Sequence, residues 1–433
     1  IYGLLEDYEK AESCCKKAVE KQPDYIDARL NLANAQVSLD KKQDAIATCE
    51  EVLGQDPSNT DALLMLSKLY RQVNQHEKLK NVAEKLVSLN PGLDQAHLVM
   101  GDVMQDQGER DKALECYEKV IEINPEHAVA HSRIGIIQQG QDNKDAAVVH
   151  YRKSIQLQPK QPVTLFNLGL VLQEKGDLSG AESAYRETLA LKSDYVPALV
   201  NLGSVLRRRD KVDAATECYR EAIRIEPGNA RAHHLLGRSA QEKGETAEAA
   251  ESYSKAIALD PDDAESYFYL AILQQRDGAY EDSLVNFRHA SRVKPDYAEA
   301  YHGQGVTLTK QGLQDAAVEC FEKALAIRPE FPDALLGLAS AYVTLQKPEL
   351  ALSYCKQAID LDSSNVNAGA LIALIHEHMG ETDEAYRLLS PFLDDNVDEL
   401  NIVLAFATVC KKLGREEEAI SHMERLLKGG NVS

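Results

Sequence analysis

The sequence predicts an all-α protein made of stacked helix pairs, and three residue patterns that share one 34-residue period support this prediction. The stretch 162–195 shows the repeat most clearly, with one helical pattern on each side of Gly176. Leu165, Leu168 and Leu172 recur at three- and four-residue spacing, which is typical of an amphipathic helix. One such hairpin cannot bury its own apolar face, so successive copies must stack.

Two of the patterns consist of small residues at places where paired helices would approach each other. A step of one period from Gly169 always reaches Gly, Ala or Ser, and the same step from Ala181 reaches Ala except at Leu79 and Ser283. We therefore expect helix–helix contacts at Gly169 and Ala181. The first pattern comprises Ala33, Ser67, Gly101, Gly135, Gly169, Gly203, Gly237, Ala271, Gly305, Ala339, Ala373 and Ala407.

The third pattern is a proline between consecutive hairpins. Proline cannot continue a helix and restricts the backbone of the residue before it, so it separates one helix pair from the next. The prolines of this pattern are Pro23, Pro57, Pro91, Pro125, Pro159, Pro227, Pro261, Pro295 and Pro329.

The 34-residue frame runs without interruption from residue 26 to residue 433. It predicts residues 1–25 as a partial repeat that supplies a second helix, 26–365 as ten regular repeats and 366–433 as two divergent repeats. Repeat arrays need polar caps, and both ends of this frame leave an apolar helix face uncovered. We therefore expect the protein to continue beyond Ser433, or its uncapped terminal helices to stack end to end.

Two prolines fall within predicted second helices and lead to different expectations. Pro348 stands at the start of its helix, where the missing N–H has no helical partner in any case. Pro391 lies inside the second helix of the repeat 366–399. We expect this helix to kink or stop near Ser390.

Composition and motifs limit the functional classes. The formal net charge of −21 argues against a general nucleic-acid binder, because affinity for phosphate backbones comes from Lys and Arg. The sequence contains no apolar run of about 18 residues, so we expect no membrane span. The eight cysteines include no Cys-x-x-Cys pair and are expected to be buried free thiols, which indicates a reducing, cytoplasmic compartment. Motifs for catalysis, a cofactor or a metal are absent, so we expect no enzyme activity, no cofactor and no metal.

The three patterns together resemble the tetratricopeptide repeat, a 34-residue helix–turn–helix unit. The resemblance extends over essentially the whole chain. It implies a right-handed superhelical α-solenoid whose first helices line the concave side.

Polar residues on the first helices are the candidate binding residues. Glutamine recurs at one place in successive repeats, and the family geometry implies that this place lies on the concave wall. Gln and Arg side chains can hold a peptide by its carbonyls or carboxylates. Both residue types also suit an ordinary solvated helix face, which is the alternative interpretation. The candidates are Gln139, Asn167, Gln173, Asn201, Arg207, Arg208, Arg231, Arg238, Gln241, Gln275 and Arg276.

These features predict a protein-interaction scaffold that binds an extended segment or a helix of a partner in the concave groove, centred on residues 162–297. The alternative is a substrate-recruiting region of a larger transferase whose catalytic domain lies outside this chain. The repeat arrays of O-linked N-acetylglucosamine transferases resemble this chain in having asparagine at the place of Asn167 and Asn201. The end of the chain, where Pro391 interrupts a repeat, resembles the divergent last repeats of bacterial repeat-containing sulfotransferases.

Overall fold

The computed structural model describes residues 7–362, 365–395 and 400–428, and the regular secondary structure in these ranges is helical. The chain forms two compact units, Ile1–Asp210 (the N-terminal unit) and Lys211–Ser433 (the C-terminal unit).

The described helices of the N-terminal unit are α1 (Tyr8–Lys21), α2 (Ile26–Ser38), α3 (Lys42–Gln55), α4 (Thr60–Gln72), α5 (His76–Leu89), α6 (Asp94–Asp106), α7 (Arg110–Ile123), α8 (Ala128–Gly140), α9 (Lys144–Leu157), α10 (Pro162–Glu174), α11 (Leu178–Leu191) and α12 (Val196–Arg208). Those of the C-terminal unit are α13 (Val212–Ile225), α14 (Ala230–Glu242), α15 (Thr246–Leu259), α16 (Ala264–Arg276), α17 (Tyr280–Val293), α18 (Ala298–Lys310), α19 (Gln314–Ile327), α20 (Pro332–Thr344), α21 (Pro348–Leu361), α22 (Val366–His378), α23 (Thr382–Asp395), α24 (Leu400–Leu413) and α25 (Glu416–Lys428).

The helix boundaries follow the 34-residue frame of the sequence. First helices begin at Ile26, Thr60, Asp94 and so on to Leu400, each one period after the previous one. Within each unit, helices that follow each other along the chain pack together. The predicted all-α fold of tandem helix hairpins is therefore confirmed. The right-handed superhelix and the division into ten regular and two divergent repeats stay predictions.

Each hairpin turns at a residue with a left-handed backbone. At Gly176 the φ angle is +82°. The Gly176 N–H donates to the carbonyl of Gln173 at 3.1 Å, and the Asp177 N–H donates to that of Leu172 at 2.9 Å. These two bonds form a Schellman motif that ends α10. Asp177 then caps α11, because its side chain accepts a hydrogen bond from the Gly180 N–H at 2.9 Å.

The predicted close contact between paired helices is confirmed at Gly169. A Cβ added there would lie 2.6 Å from Cε1 of Tyr185. Ala181 is fully buried. The small-residue pattern thus makes room for an aromatic ring on the second helix of the same hairpin. Fully buried rings recur at this place, at Tyr117, Tyr151, Tyr185, Tyr219, Tyr253, Phe287 and Phe321.

The two prolines in second helices have different outcomes. Pro348 is the first residue of α21, as predicted. Helix α23 continues through Pro391 to Asp395, so the predicted stop near Ser390 is wrong. An internal proline removes one helical hydrogen bond. Ala385 and Leu389, on the turns before it, are fully buried in a cluster with α22 and α24 residues, which holds the helix in place. A kink at Pro391 stays a prediction.

The cysteines are free thiols, but they are not uniformly buried. Burial raises the pKa of Cys49 and of Cys355 to about 12. Cys14 is exposed, so the expectation of a buried thiol is wrong there. Its place in the frame precedes the buried ring place by one residue and therefore points about 100° away around the helix. Three cysteines share this place and are partly buried: Cys116, Cys218 and Cys320.

Candidate protein-interaction surfaces

The predicted groove glutamines are hydrogen-bonded to buried tyrosines of their own hairpins. In the hairpin of α8 and α9, the Tyr151 hydroxyl donates to Oε1 of Gln139 at 2.9 Å. Burial raises the pKa of Tyr151 above its usual range, so the ring keeps its proton and needs an acceptor. Equivalent bonds join Tyr117 to Gln105 at 2.9 Å, Tyr185 to Gln173 at 3.0 Å and Tyr253 to Gln241 at 2.8 Å. These glutamines have a structural role, and their predicted role in binding stays a prediction.

The predicted asparagines lie at a place that also faces the rings. Asn167 of α10 makes a side-chain hydrogen bond to Tyr151 of the preceding hairpin, which opposes the rise in the pKa of that phenol. Asn201 is buried, with 7% of its surface exposed. Where the ring is Phe287, the same place holds Gly303, and a Cβ there would lie 2.5 Å from the ring. This place thus holds an asparagine that bonds to the hydroxyl of Tyr151, and a glycine that leaves room for the ring of Phe287.

The hairpin of Gln275 has a ring without a hydroxyl, and the Gln275 amide bonds to residues of the next hairpin. The residue twelve positions later is Phe287. Nε2 of Gln275 donates instead to Oγ1 of Thr307 at 2.7 Å and to the carbonyl of Gly303 at 3.3 Å.

The predicted arginines lie in different surroundings. Arg207 is half-buried in the last turn of α12. The guanidinium of Arg238 lies over the ring of Tyr269, 4.4 Å from its centroid, in a cation–π contact. The exposed candidates are Arg208, Arg231 and Arg276.

A cavity of about 740 Å³ opens on the first helices α2, α4 and α6 of the N-terminal unit. Four amide side chains line it, those of Asn31, Asn34, Gln72 and Gln95. None of these four amides is hydrogen-bonded to another described residue, in contrast to the tyrosine-bonded glutamines. We call this site the amide cavity.

Apolar and acidic side chains complete the amide cavity. Leu30 and Leu64 are half-buried and form part of its lining. Asp27 and Asp61 are exposed in the first turns of α2 and α4. Tyr25 is 45% exposed beside them. The cavity thus offers hydrogen-bond donors, hydrogen-bond acceptors and an apolar surface in one place.

A second cavity, of about 390 Å³, lies on the first helices α20, α22 and α24 of the C-terminal unit. Leu374 and Leu404 are 37% and 49% exposed there. Its lining is mainly apolar, so we call it the leucine groove. The lining residues are Leu336, Ser340, Asn367, Ala370, Leu371, Leu374, Leu404, Ala405 and Thr408.

Two histidines on the first helices, His131 and His233, are packed against the chain. His131 and His233 are 8% and 7% exposed. Nε2 of His131 lies 3.0 Å from the carbonyl oxygen of Pro125, and Nε2 of His233 lies 3.1 Å from that of Pro227. Across residues 7–362, 365–395 and 400–428, no three His, Cys, Asp or Glu residues are placed to hold a metal ion. None of the helices in the same ranges has the length and apolar character to span a bilayer.

Family models match the chain in successive segments. Tetratricopeptide repeat models match residues 5–52, 60–93, 95–127, 166–230 and 332–365, and a TPR repeat model matches 240–278 and 305–346. Together these segments span more than half of the chain. The chain belongs to the tetratricopeptide repeat family.

Other solved helical-repeat structures are similar to this tetratricopeptide repeat chain. The APC/C hetero-tetramer Cut9-Hcn1 is 12% identical over 94% of each chain, with a TM-score of 0.50, a likeness that shows the fold alone. YrrB, described as a TPR protein with an unusual peptide-binding site, is 23% identical over 43% of this chain and 95% of its own, with a TM-score of 0.38. PilF of Pseudomonas aeruginosa is 19% identical over 48% and 94%, with a TM-score of 0.44. No curated protein sequence matches the chain.

Sequence reasoning missed most of the amide cavity. It followed the glutamine place, where the amide oxygen is used by a tyrosine twelve residues later. Asn34, Gln72 and Gln95 were not singled out, because they do not recur at one place of the frame. For the repeats of α2 and α4, the available signal was the ring place. Cys49 and Ala83 occupy it, so no tyrosine hydroxyl there needs an amide partner.

Proposed function

We propose that this tetratricopeptide repeat chain is a protein-interaction scaffold that binds an extended segment of a partner protein in the amide cavity. The observation that carries the proposal is the set of four unbonded amides above an apolar surface. In an extended segment, every residue except proline presents one backbone donor and one backbone acceptor. Asn and Gln side chains can pair with both kinds of group.

The charges at the entrance favour a basic residue in the bound segment. Asp27 and Asp61 are exposed in the first turns of α2 and α4 and line the cavity, whereas Lys68 is its one basic lining residue. Carboxylates form strong charge-assisted hydrogen bonds with Arg and Lys. The net charge of −21 also attracts basic segments over longer distances.

The candidates from the sequence have different parts in this proposal. The amide oxygens of Gln139, Gln173 and Gln241 accept hydrogen bonds from tyrosines, so this proposal does not centre binding on them, and their role in binding stays a prediction. Among the arginines, the exposed Arg208, Arg231 and Arg276 stay candidate contacts. The free cysteines suit a reducing compartment such as the cytoplasm.

The first prediction tests the amide cavity with peptides selected from a random library on the wild-type chain. The double variant Asn34→Ala/Gln72→Ala should lower the affinity of such a peptide about tenfold, because each lost hydrogen bond costs about 0.5–1.5 kcal/mol. Isothermal titration calorimetry measures the change.

Gln43→Ala is the matched control. Gln43 is an exposed amide on the second helix α3, outside the cavity, and its removal should leave the affinity unchanged. Equal affinities of wild type and the double variant would place the peptide elsewhere and refute the proposal.

A further inference from the structure

We propose that the leucine groove of the C-terminal unit binds an amphipathic helix of a partner protein, with an acidic flank on the helix. The groove lies in a different unit from the amide cavity and has a different lining. Either site can therefore be tested, and can fail, without the other.

The leucines of the groove are exposed in a way that core leucines of the same helices are not. Leu374 and Leu404 are 37% and 49% exposed, whereas Leu335 and Leu338 of α20 are 3% and 0% exposed. Leu336 and Leu371 extend the apolar surface over α20 and α22. Three neighbouring first helices thus present one continuous apolar surface to a ligand.

The shortage of polar groups in the groove favours a helix over an extended segment. Ser340, Asn367 and Thr408 are the polar residues of its lining. An extended segment buried there would leave backbone N–H and C=O groups without partners, which is costly. A helix satisfies its own backbone groups and can bury one apolar face in such a groove. The amide cavity has four amide side chains that can pair with an extended backbone, so the two sites favour different backbone conformations of the ligand.

The spacing of the groove also suits a helix. Packed helices lie about 8–10 Å apart. Residues i and i+7 of a partner helix lie about 10.5 Å apart along its axis, and the i+3 or i+4 residue lies between them on the same face. A partner helix with leucines at i, i+3 and i+7 can therefore contact successive first helices such as α22 and α24.

The charges beside the groove select an acidic flank. Lys411 and Lys412 are exposed at the end of α24. Lys412 forms an ion pair with Glu377 of α22. Lys411 has no ion pair with any residue in the described ranges. In a chain of net charge −21, this unpaired cation favours glutamates on the side of the partner helix that faces α24.

The second prediction is tested with two synthetic helical peptides that share leucines at i, i+3 and i+7. One carries glutamates along one flank, and the other carries lysines at the same positions. Fluorescence anisotropy should show tighter binding of the glutamate peptide. Lys411→Glu should lower the affinity for the glutamate peptide about threefold or more and raise the affinity for the lysine peptide, because charges at the rim of an interface set partner preference. Leu374→Asp should lower the affinity at least about tenfold, since it places a charge in an apolar contact.

Two further variants separate a binding defect from a folding defect. Leu404→Asp changes a half-exposed groove residue and should lower the affinity for the glutamate peptide. The helical circular dichroism signal and the melting temperature should stay unchanged. Leu350→Asp is the matched control, because Leu350 is 46% exposed on the second helix α21 and lies outside the groove. It should leave peptide affinity unchanged.

Three outcomes would overturn the proposal. The glutamate peptide binds no better than a scrambled peptide of the same composition, or Leu350→Asp weakens it as much as Leu404→Asp. Alternatively, sedimentation shows a dimer without peptide that Leu404→Asp dissociates, which would make the groove a contact between two copies of the chain. The peptide selected for the amide cavity should bind Leu404→Asp with wild-type affinity, and this measurement keeps the two sites distinct.

Discussion

Hairpins that bury a tyrosine ring and hairpins that lack a ring differ in the hydrogen bonds that the amides of their first helices make. In the hairpin of α8 and α9, the Tyr151 hydroxyl uses the amide oxygen of Gln139. In the hairpins of α2 with α3 and of α4 with α5, the ring place holds Cys49 and Ala83, which are fully buried and offer no hydroxyl. On their first helices, the side-chain amides of Asn31, Asn34 and Gln72 have no hydrogen bond to another described residue and line the amide cavity.

The same distinction applies to the leucine groove. Its helices α20 and α22 pair with second helices that carry Cys355 and Leu389 at the ring place, both fully buried. The leucine-groove helices α20 and α22 and the amide-cavity helices α2 and α4 therefore belong to hairpins without a ring, whereas α6, which adds Gln95 to the amide cavity, pairs with the helix that carries Tyr117. The comparison teaches that a polar residue on a first helix can serve its own hairpin when a tyrosine hydroxyl needs an acceptor.

The small-residue pattern follows the same rule. The hairpins of Tyr117, Tyr151, Tyr185 and Tyr253 have glycine opposite the ring, at Gly101, Gly135, Gly169 and Gly237. Hairpins without a ring have Ala33, Ser67 and Ala339 at this place. A tyrosine ring therefore requires the loss of a side chain on the first helix.

The third prediction concerns this contact and has the largest expected effect on stability. Gly169→Leu should lower the free energy of unfolding by about 1–3 kcal/mol, because the new side chain overpacks against Tyr185. Its Cβ alone would lie 2.6 Å from the ring. Chemical denaturation monitored by circular dichroism measures the change.

Gly54→Ala is the control for Gly169→Leu. Gly54 lies in α3 with no heavy atom within 4 Å of an added Cβ. Because alanine has the higher helix propensity, this variant should gain up to about 1 kcal/mol. If Gly169→Leu leaves the unfolding midpoint unchanged, the ring does not set the residue at this place.

The fourth prediction removes one hydroxyl and converts a tyrosine hairpin towards a phenylalanine hairpin. Tyr151→Phe should destabilise the chain by about 1 kcal/mol, because the hydrogen bond to Gln139 is lost and the amide oxygen keeps no partner. Tyr25→Phe is the control, since Tyr25 is 45% exposed. The prediction fails if both variants unfold at the same denaturant concentration as the wild type.

The sequence was sufficient for the fold because each element of the repeat has a local physical cause. Prolines end the hairpins, small residues admit the partner helix and Gly176 supplies the left-handed turn. The continuation of α23 through Pro391 was missed, because burial of Leu389 on the preceding turn is a tertiary effect.

The candidate site was harder to predict than the fold. Gln139 and its equivalents recur visibly in the sequence, but a recurring polar residue can face solvent, a ligand or a buried hydroxyl. Only the hydrogen bond to Tyr151 shows which group its oxygen contacts. The residues of the amide cavity do not recur in this way. They are brought together by the packing of α2, α4 and α6.

The fifth prediction has the smallest effect and concerns the turn of a hairpin without a ring. Gln346 lies between α20 and α21 with a φ of +57°, whereas Gly176 occupies the same place at +82°. The left-handed conformation costs a residue with a Cβ about 1–2 kcal/mol, and the greater freedom of glycine in the unfolded chain offsets part of this. Gln346→Gly should therefore stabilise the chain by about 0.5–1 kcal/mol, measured as a higher denaturation midpoint. The reverse change, Gly176→Gln, should destabilise by a similar amount. If both substitutions shift the midpoint in the same direction, the turn conformation is not what sets the residue at this place.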